Sequence, residues 1–410
     1  MKVLVANIGS TSLKWRLFDL SNSREQMLHK GGFERVTDYP KAIEDCLGQL
    51  RTAGHIKSEK DLAAIGFKTI AACGITGCVH LDEEVLEAMA AFNGIAPAHN
   101  PPYITGIRLF AERLPGVPLI GLFETAFHQF APEAVMRYAV PDAWHQAGVR
   151  RWGFHGASHK FIAERSAQLL GREDVFLRAQ NLYLDGAAMT VSQPNLCVIS
   201  CHLGGSSSIC AILNGVSVGT SMGLSPQSGL PQNNRAGDLD SFAVPFAMRV
   251  LGLTLDEAER QLCKESGLKG LSGVSNDVRD IVAAAGRGEP RAKLALDVFV
   301  ASARHWIGAF LAQLNGADAL VFTAGIGENE SNMRAAICAN LDQLGIILDP
   351  AMNAKTGAQE AVISAANSRV KIMVIPTNEE LVVAREVKRL LGSEGVKENF
   401  SNKLEPQPQH

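Results

Sequence analysis

The residues best suited to chemistry cluster in three stretches with almost no side-chain bulk. NIGSTS (Asn7 to Ser12) and HLGGSSS (His202 to Ser208) each join two apolar runs, and GIGEN (Gly325 to Asn329) follows the apolar LVFT. Gly, Ser and Thr leave backbone N–H groups and hydroxyls free to close around an anion such as phosphate. A strand, a glycine turn and a helix in succession is a common seat for a nucleotide. No GxxxxGKS or GxxxxGKT occurs, which excludes a P-loop. His155 and His159 stand four apart and could turn both rings toward one metal. With no third ligand nearby, phosphate contact for His155 and packing for His159 is the competing reading.

The elements that must hold these stretches are legible as patterns. Val3, Leu4 and Val5 precede the first bare turn, and Leu13, Trp15 and Leu17 alternate with polar residues after it, as in a hairpin. The run from Cys197 to Leu213 repeats that plan some 190 residues later and predicts two similarly built halves. HKFIAERSAQLLG predicts a helix with Phe161, Ile162, Leu169 and Leu170 near one face, stopped by Gly171. Thr377-Asn-Glu-Glu380 reads as a capping box opening a helix that runs through Leu391 to Gly392. In that reading Glu380 serves the cap and Glu379 stays free. The chain beyond, 393–410, is polar and contains proline, and is expected to be a disordered tail. Mixed strands and helices give an α/β class.

Composition narrows the function. With 410 residues, two domains are the default. A net charge of -3 argues against a nucleic-acid partner, and no apolar run approaches the length of a membrane span. Eight cysteines without CxxC spacing fit reduced thiols in a cytoplasm. Cys201 beside His202 could be a thiol nucleophile, but its strand pattern favours burial.

NIGSTSLKWRLFD, RRWGFHGASH, SCHLGGSSSI, TSMGLSPQSGL, NRAGDLD, GVSNDVRDI, FTAGIGENE and IPTNEELVVARE resemble, in order and over residues 1 to about 391, the signatures of the acetate kinase family. That family belongs to the superfamily of actin and the sugar kinases. The resemblance implies two actin-like, ribonuclease H-like domains around a cleft: 1–130 with 380–392, and 131–379. It implies reversible ATP-dependent phosphorylation of a short-chain carboxylate to an acyl phosphate and ADP. It also implies a homodimer whose cofactors are ATP/ADP and Mg²⁺, with Mn²⁺ able to replace the latter.

Carried over residue by residue, Asn7 and Glu379 match the magnesium-associated pair. Ser10, Ser12 and Lys14 line the first hairpin, while His155 and Arg235 match the groups that stabilise the transferring phosphoryl. His202 and Leu203 with Gly204, Gly205 and Ser206 match the nucleotide-phosphate loop. Asp277, Val278 and Arg279 match the adenosine site, with Gly325, Ile326, Gly327, Glu328 and Asn329 lying against it. His99 and Phe154 fall at the acid-substrate end.

The departures gather at that same end. GFKTIAACG stands where the family has GHRVVHGG, so the carboxylate-binding arginine becomes Lys68, which lacks the bidentate fork. FETAFH replaces FDTAFH, so the catalytic aspartate becomes Glu124 on a longer arm. HLGGSSS replaces HLGNGAS, and NNRAGD replaces GTRSGD while keeping Arg235. APAHNPPY replaces APxHNPPN, with Ala98 where a leucine is frequent. These changes predict an intact nucleotide site and an altered acceptor. A propionate, butyrate or larger-acid kinase is one alternative; a nucleotide-binding regulator without turnover is another.

Overall fold

The computed structural model describes residues 1–21, 25–96 and 99–393. Ala98 and the polar tail from 394 onward therefore lie outside the described residues. Six strands make the first sheet: β1 (Lys2–Ile8), β2 (Ser12–Asp19), β3 (Gln26–Glu34), β4 (Leu62–Thr69), β5 (Cys78–His80) and β6 (Leu119–Phe123). The second holds β7 (Cys197–Leu203), β8 (Ser207–Leu213), β9 (Val216–Thr220), β10 (Ala319–Thr323), β11 (Ala361–Val362) and β12 (Lys371–Val374).

The spatial orders are β3-β2-β1-β4-β6-β5 and β11-β12-β10-β7-β8-β9. Adding six to each strand of the first reproduces the second, read from its other edge. Strand directions match as well: β1 is antiparallel to β2 and parallel to β4, as β7 is to β8 and β10. The internal repeat read from two hairpins extends through both sheets.

Central strands are buried on both faces because helices cover both, as in parallel sheets generally. The Glu379–Ser393 helix lays Val382, Val383, Ala384 and Val387 on the first sheet. Gly66 permits its approach, since a Cβ there would stand 2.8 Å from Val383. Each buried valine contributes roughly 1.5 to 3 kcal/mol. The Pro290–Leu314 helix is long and apolar enough to cross a membrane by length and composition. It instead packs Phe299, Ala303 and Ile307 into the second sheet's core.

Two local expectations are corrected. The helix at His159 starts earlier, as Gly156–Leu169, and its Leu169 is exposed. Its buried face is largely polar, with Ser158, His159, Lys160 and Glu164 all inside. The last helix is capped by Asn378, whose Oδ1 accepts from the Leu381 N–H at 3.3 Å, and not by Thr377, whose hydroxyl is buried without a partner. Glu380 turns to Arg16 (3.4 Å) in place of the backbone, and the helix runs past Gly392 to Ser393.

Candidate active site

One hairpin tip of the second sheet and two helix starts line a cavity of about 740 Å³, within the range of small-molecule sites. The β7–β8 tip supplies Gly204 and Gly205; Asp277, Val278 and Arg279 form one wall; Gly325, Ile326 and Asn329 form another. The GIGEN stretch, expected as a glycine turn, is a short helix, Ala324–Asn329. Glu328 reaches back to accept from the Ala324 N–H at 2.8 Å. Gly327 and Leu203 are buried rather than lining the cavity. Asp277 caps the Val278–Gly286 helix, and its hydrogen bonds from Arg279 hold its carboxyl down to about 2. Asn233, Asn276 and Glu330 also line the space; they lie within the NNRAGD, GVSNDVRDI and FTAGIGENE stretches, but the resemblance gives them no role.

From this cavity the polar groups continue into the cleft. Ser206 donates to Gln232 at 2.8 Å, and the Arg235 guanidinium spans Ser206 (3.4 Å), Gln232 (3.2 Å) and His99 Nε2 (3.2 Å). Since arginine has only donors, His99 Nε2 must accept, which requires a neutral ring. Burial, with the Arg235 and Lys68 cations, lowers the His99 pKa to about 4 and keeps it neutral.

Lys68, at the end of β4, places its ammonium 3.0 Å from Glu124 and 2.5 Å from Glu379. Burial opposes that charge, but the two carboxylates hold the Lys68 pKa well above its ordinary value. The glutamates part company. Burial raises Glu124, whereas Lys68 and then His202 outweigh burial and lower Glu379. Glu124 Oε2 is buried with no hydrogen-bond partner. Close by, Tyr103 Oη donates to Asn7 Oδ1 at 2.8 Å. Tyr103 ends the APAHNPPY stretch, so the departure there sets a hydroxyl on Asn7.

Asn7 Oδ1, Glu379 and the orphaned Glu124 oxygen are hard donors, the type that suits Mg²⁺ when substrate phosphates complete its sphere. No group of three His, Cys, Asp or Glu side chains that could hold a metal ion by themselves occurs among the described residues.

His155 sits in the left-handed region (φ 59°) at the start of the Gly156–Leu169 helix. Gly156 lets that helix begin against β6: its N–H meets the Glu124 carbonyl at 2.8 Å, and a Cβ would stand 2.4 Å from that oxygen. The imidazole stacks on His202 with centroids 4.0 Å apart, while His202 Nδ1 contacts Ser158 Oγ at 2.8 Å. His128 donates from Nε2 to the Phe154 carbonyl (3.0 Å), fixing the backbone just before His155. Phe154 is buried with Ala71, Phe92, Trp152 and Met222 in an apolar cluster that offers the cleft no polar atom. His159 lies inside the protein, bonded to two serines, with no metal-ligand set around it among the described residues. Cys201 is fully buried, and burial pushes its thiol up, away from a nucleophile's range.

Ser10 is exposed and Ser12 half-buried at the β1–β2 tip. Lys14 points to solvent and pairs with Glu34 at 2.9 Å. The first hairpin is thus the more exposed of the two.

A model of the Acetokinase family matches residues 31–385. The acetate kinase of Natranaerobius thermophilus is 39% identical over 421 residues, covering 96% of this chain and 100% of that protein. The acetate kinase of Bacillus subtilis is 39% identical over 413 residues, covering 95% and 99%. Among solved structures, Porphyromonas gingivalis acetate kinase superposes with a TM-score of 0.83 at 32% identity, covering 95% of this chain and 99% of that one. A propionate kinase from Francisella tularensis gives 0.81 at 32% identity, covering 94% and 98%.

Proposed function

The chain belongs to the Acetokinase family, and from that premise we propose how its cleft carries out the transfer and what it transfers to. The enzyme is a phosphotransferase with a carboxyl acceptor: it forms an acyl phosphate from a short-chain carboxylate and ATP. One oxygen of the acid bonds to the γ-phosphorus as the bond to the ADP oxygen breaks. Such transfer needs in-line placement and donors around the equatorial oxygens more than covalent help.

Arg235 is the observation that carries the assignment of roles. Its guanidinium touches Ser206 on the nucleotide loop and His99 on the acid side, so it lies along the line of transfer. Arg235 and His155 donate to the phosphoryl; Gly204 to Ser206 with His202 hold the nucleotide phosphates. The cavity walled by Asp277–Arg279 and Gly325–Asn329 takes the adenosine. Asn7 and Glu379, with Glu124, are the residues that would hold Mg²⁺, which when bound neutralises phosphate charge. Ser10, Ser12 and Lys14 close over from the first hairpin, and the bodies 1–130 with 380–392 and 131–379 swing together to exclude water.

The acceptor is an acid longer than acetate. Lys68 is committed to Glu124 and Glu379, and Phe154, next to His155, packs in a buried apolar cluster with Ala71, Phe92, Trp152 and Met222. Propionate, which matches the name of one structural relative, is the first choice. Incubation with ATP, Mg²⁺, hydroxylamine and each acid in turn traps acyl phosphate as hydroxamate. A faster reaction with propionate or butyrate than with acetate supports this reading, and a sharp preference for acetate defeats it.

A homodimer forms through Leu239, Phe242, Phe246, Val250, Leu251 and Leu255, all exposed. The Ala243–Leu251 helix among them buries no residue in the monomer. Phe246→Glu should halve the mass measured by light scattering. The compartment proposed is the cytoplasm, where the eight free thiols stay reduced.

A further inference from the structure

Four buried or half-buried histidines (His128, His155, His159 and His202) meet ring to ring behind the cleft. The transfer as described uses two of them. The serines between them form a line: Ser200 Oγ lies 2.9 Å from His159 Nδ1, His159 Nε2 lies 2.8 Å from Ser208 Oγ, and Ser208 Oγ lies 2.8 Å from His155 Nδ1. We propose that Ser200, His159 and Ser208 are positioning residues, a one-way hydrogen-bond chain that holds His155 with its proton on Nε2, toward the cleft.

The direction follows from donor counting. A neutral imidazole has one N–H and one bare nitrogen, and a hydroxyl has one hydrogen. His155 Nδ1 faces the Ser208 hydroxyl, so for the neutral ring the position of its single N–H decides which of the two donates. In one sense, Ser200 donates to His159, His159 to Ser208, and Ser208 to His155 Nδ1. Every hydrogen in the line is then used, and His155 Nε2–H is left for a ligand.

In the opposite sense His155 Nδ1 donates to Ser208, Ser208 to His159, and His159 to Ser200. The Ser200 hydroxyl hydrogen then has no acceptor among the described residues, although Ser200 is fully buried. A buried donor without a partner is the costlier outcome, so the first sense prevails. A donor at Nε2 is what a phosphoryl oxygen requires; a bare Nε2 would repel it. This inference rests on the assignment of His155 to the transferring phosphoryl, and its test is read separately from that assignment.

Long-range proton–nitrogen correlation spectra of ¹⁵N-histidine-labelled protein report each ring's tautomer directly. The wild-type protein at pH 7.5 should show His155 protonated at Nε2. Ser200→Ala, which removes only the far end of the line, should give a mixture of both His155 forms and lower kcat by about twofold or more, with KM for ATP unchanged. Ser208→Ala should lower kcat by roughly 10- to 100-fold, as loss of groups that orient a functional histidine does. Ser200→Thr, which keeps the hydroxyl, should restore the wild-type spectrum. An Nδ1-protonated His155 in the wild type, or a Ser200→Ala spectrum identical to it, overturns the proposal. If His155→Gln turns over at the wild-type rate, the phosphoryl role fails, whatever the spectra say of the chain.

Discussion

Two lysines in this molecule each sit between two glutamates, and they do different work. Lys160 lies 2.6 Å from Glu164 and 3.0 Å from Glu386, with all three side chains at most 2% exposed. Its remaining hydrogen meets the Ala179 carbonyl at 2.6 Å, and Arg385 pairs with Glu164. The cluster ties the Gly156–Leu169 helix to the Glu379–Ser393 helix and is closed on every side. Lys68 has the same partners by type, yet its side chain is 21% exposed toward the cleft and one Glu124 oxygen is unsatisfied. Completeness separates them. A saturated ion cluster holds two elements in place, and an unsaturated one leaves donor capacity for a ligand.

Breaking the closed cluster should have the largest effect. Lys160→Met leaves Glu164 to Arg385 alone and Glu386 to Arg389 alone, removes the cation between them, and should cost up to about 3 to 5 kcal/mol in a urea titration. Lys68→Met should do the reverse, lowering hydroxamate formation by about 10²-fold, the scale of losing one preorganised charge. Its unfolding midpoint should move by less than half of the Lys160→Met shift.

A pH scan sharpens the contrast with a third set, the buried neutral histidines. Burial lowers His128 to about 4, as it does His99. Unfolded histidines take up protons below about 6.5, while these stay neutral until about 4. The unfolded state therefore binds more protons in that window, and stability is lost as pH falls through it. The melting temperature should drop between pH 6.5 and 4, and His128→Gln should flatten the slope; an unchanged slope contradicts this. The smallest effect expected is that of Tyr103→Phe. Losing one hydrogen bond to Asn7, about 0.5 to 1.5 kcal/mol, should raise the Mg²⁺ concentration needed for half-maximal rate by up to about tenfold.

Much of this was legible in the sequence where function depends on local pattern. Both hairpins, their repetition and the glycine stretches at Gly204 and Gly325 follow from small-residue turns and apolar alternation within a few positions, whereas Asp277 to Arg279 came from the resemblance alone. The resemblance then proposed roles for Asn7, His155, Arg235 and Glu379. What stayed hidden depends on pairs distant in the chain. Nothing in HKFIAERS shows that Lys160 faces Glu386, and Leu169 looked like core only because the helix was expected to bury an apolar face. Tyr103 was visible as a departure, but its hold on Asn7 exists only once the Asn100–Arg113 helix packs against β1. Asn378 displaced Thr377 as the cap because a local motif cannot say which of two neighbouring polar residues the helix axis will favour.

The central claim is that this cleft moves the γ-phosphoryl of ATP onto a carboxylate held beside Arg235. Phosphorus NMR of the enzyme with ATP, Mg²⁺ and propionate follows it directly. The account predicts an acyl phosphate resonance rising as the γ-phosphate signal declines, and its loss in Arg235→Ala. Release of inorganic phosphate alone in the wild-type enzyme, or an acyl phosphate signal undiminished in Arg235→Ala, would contradict it.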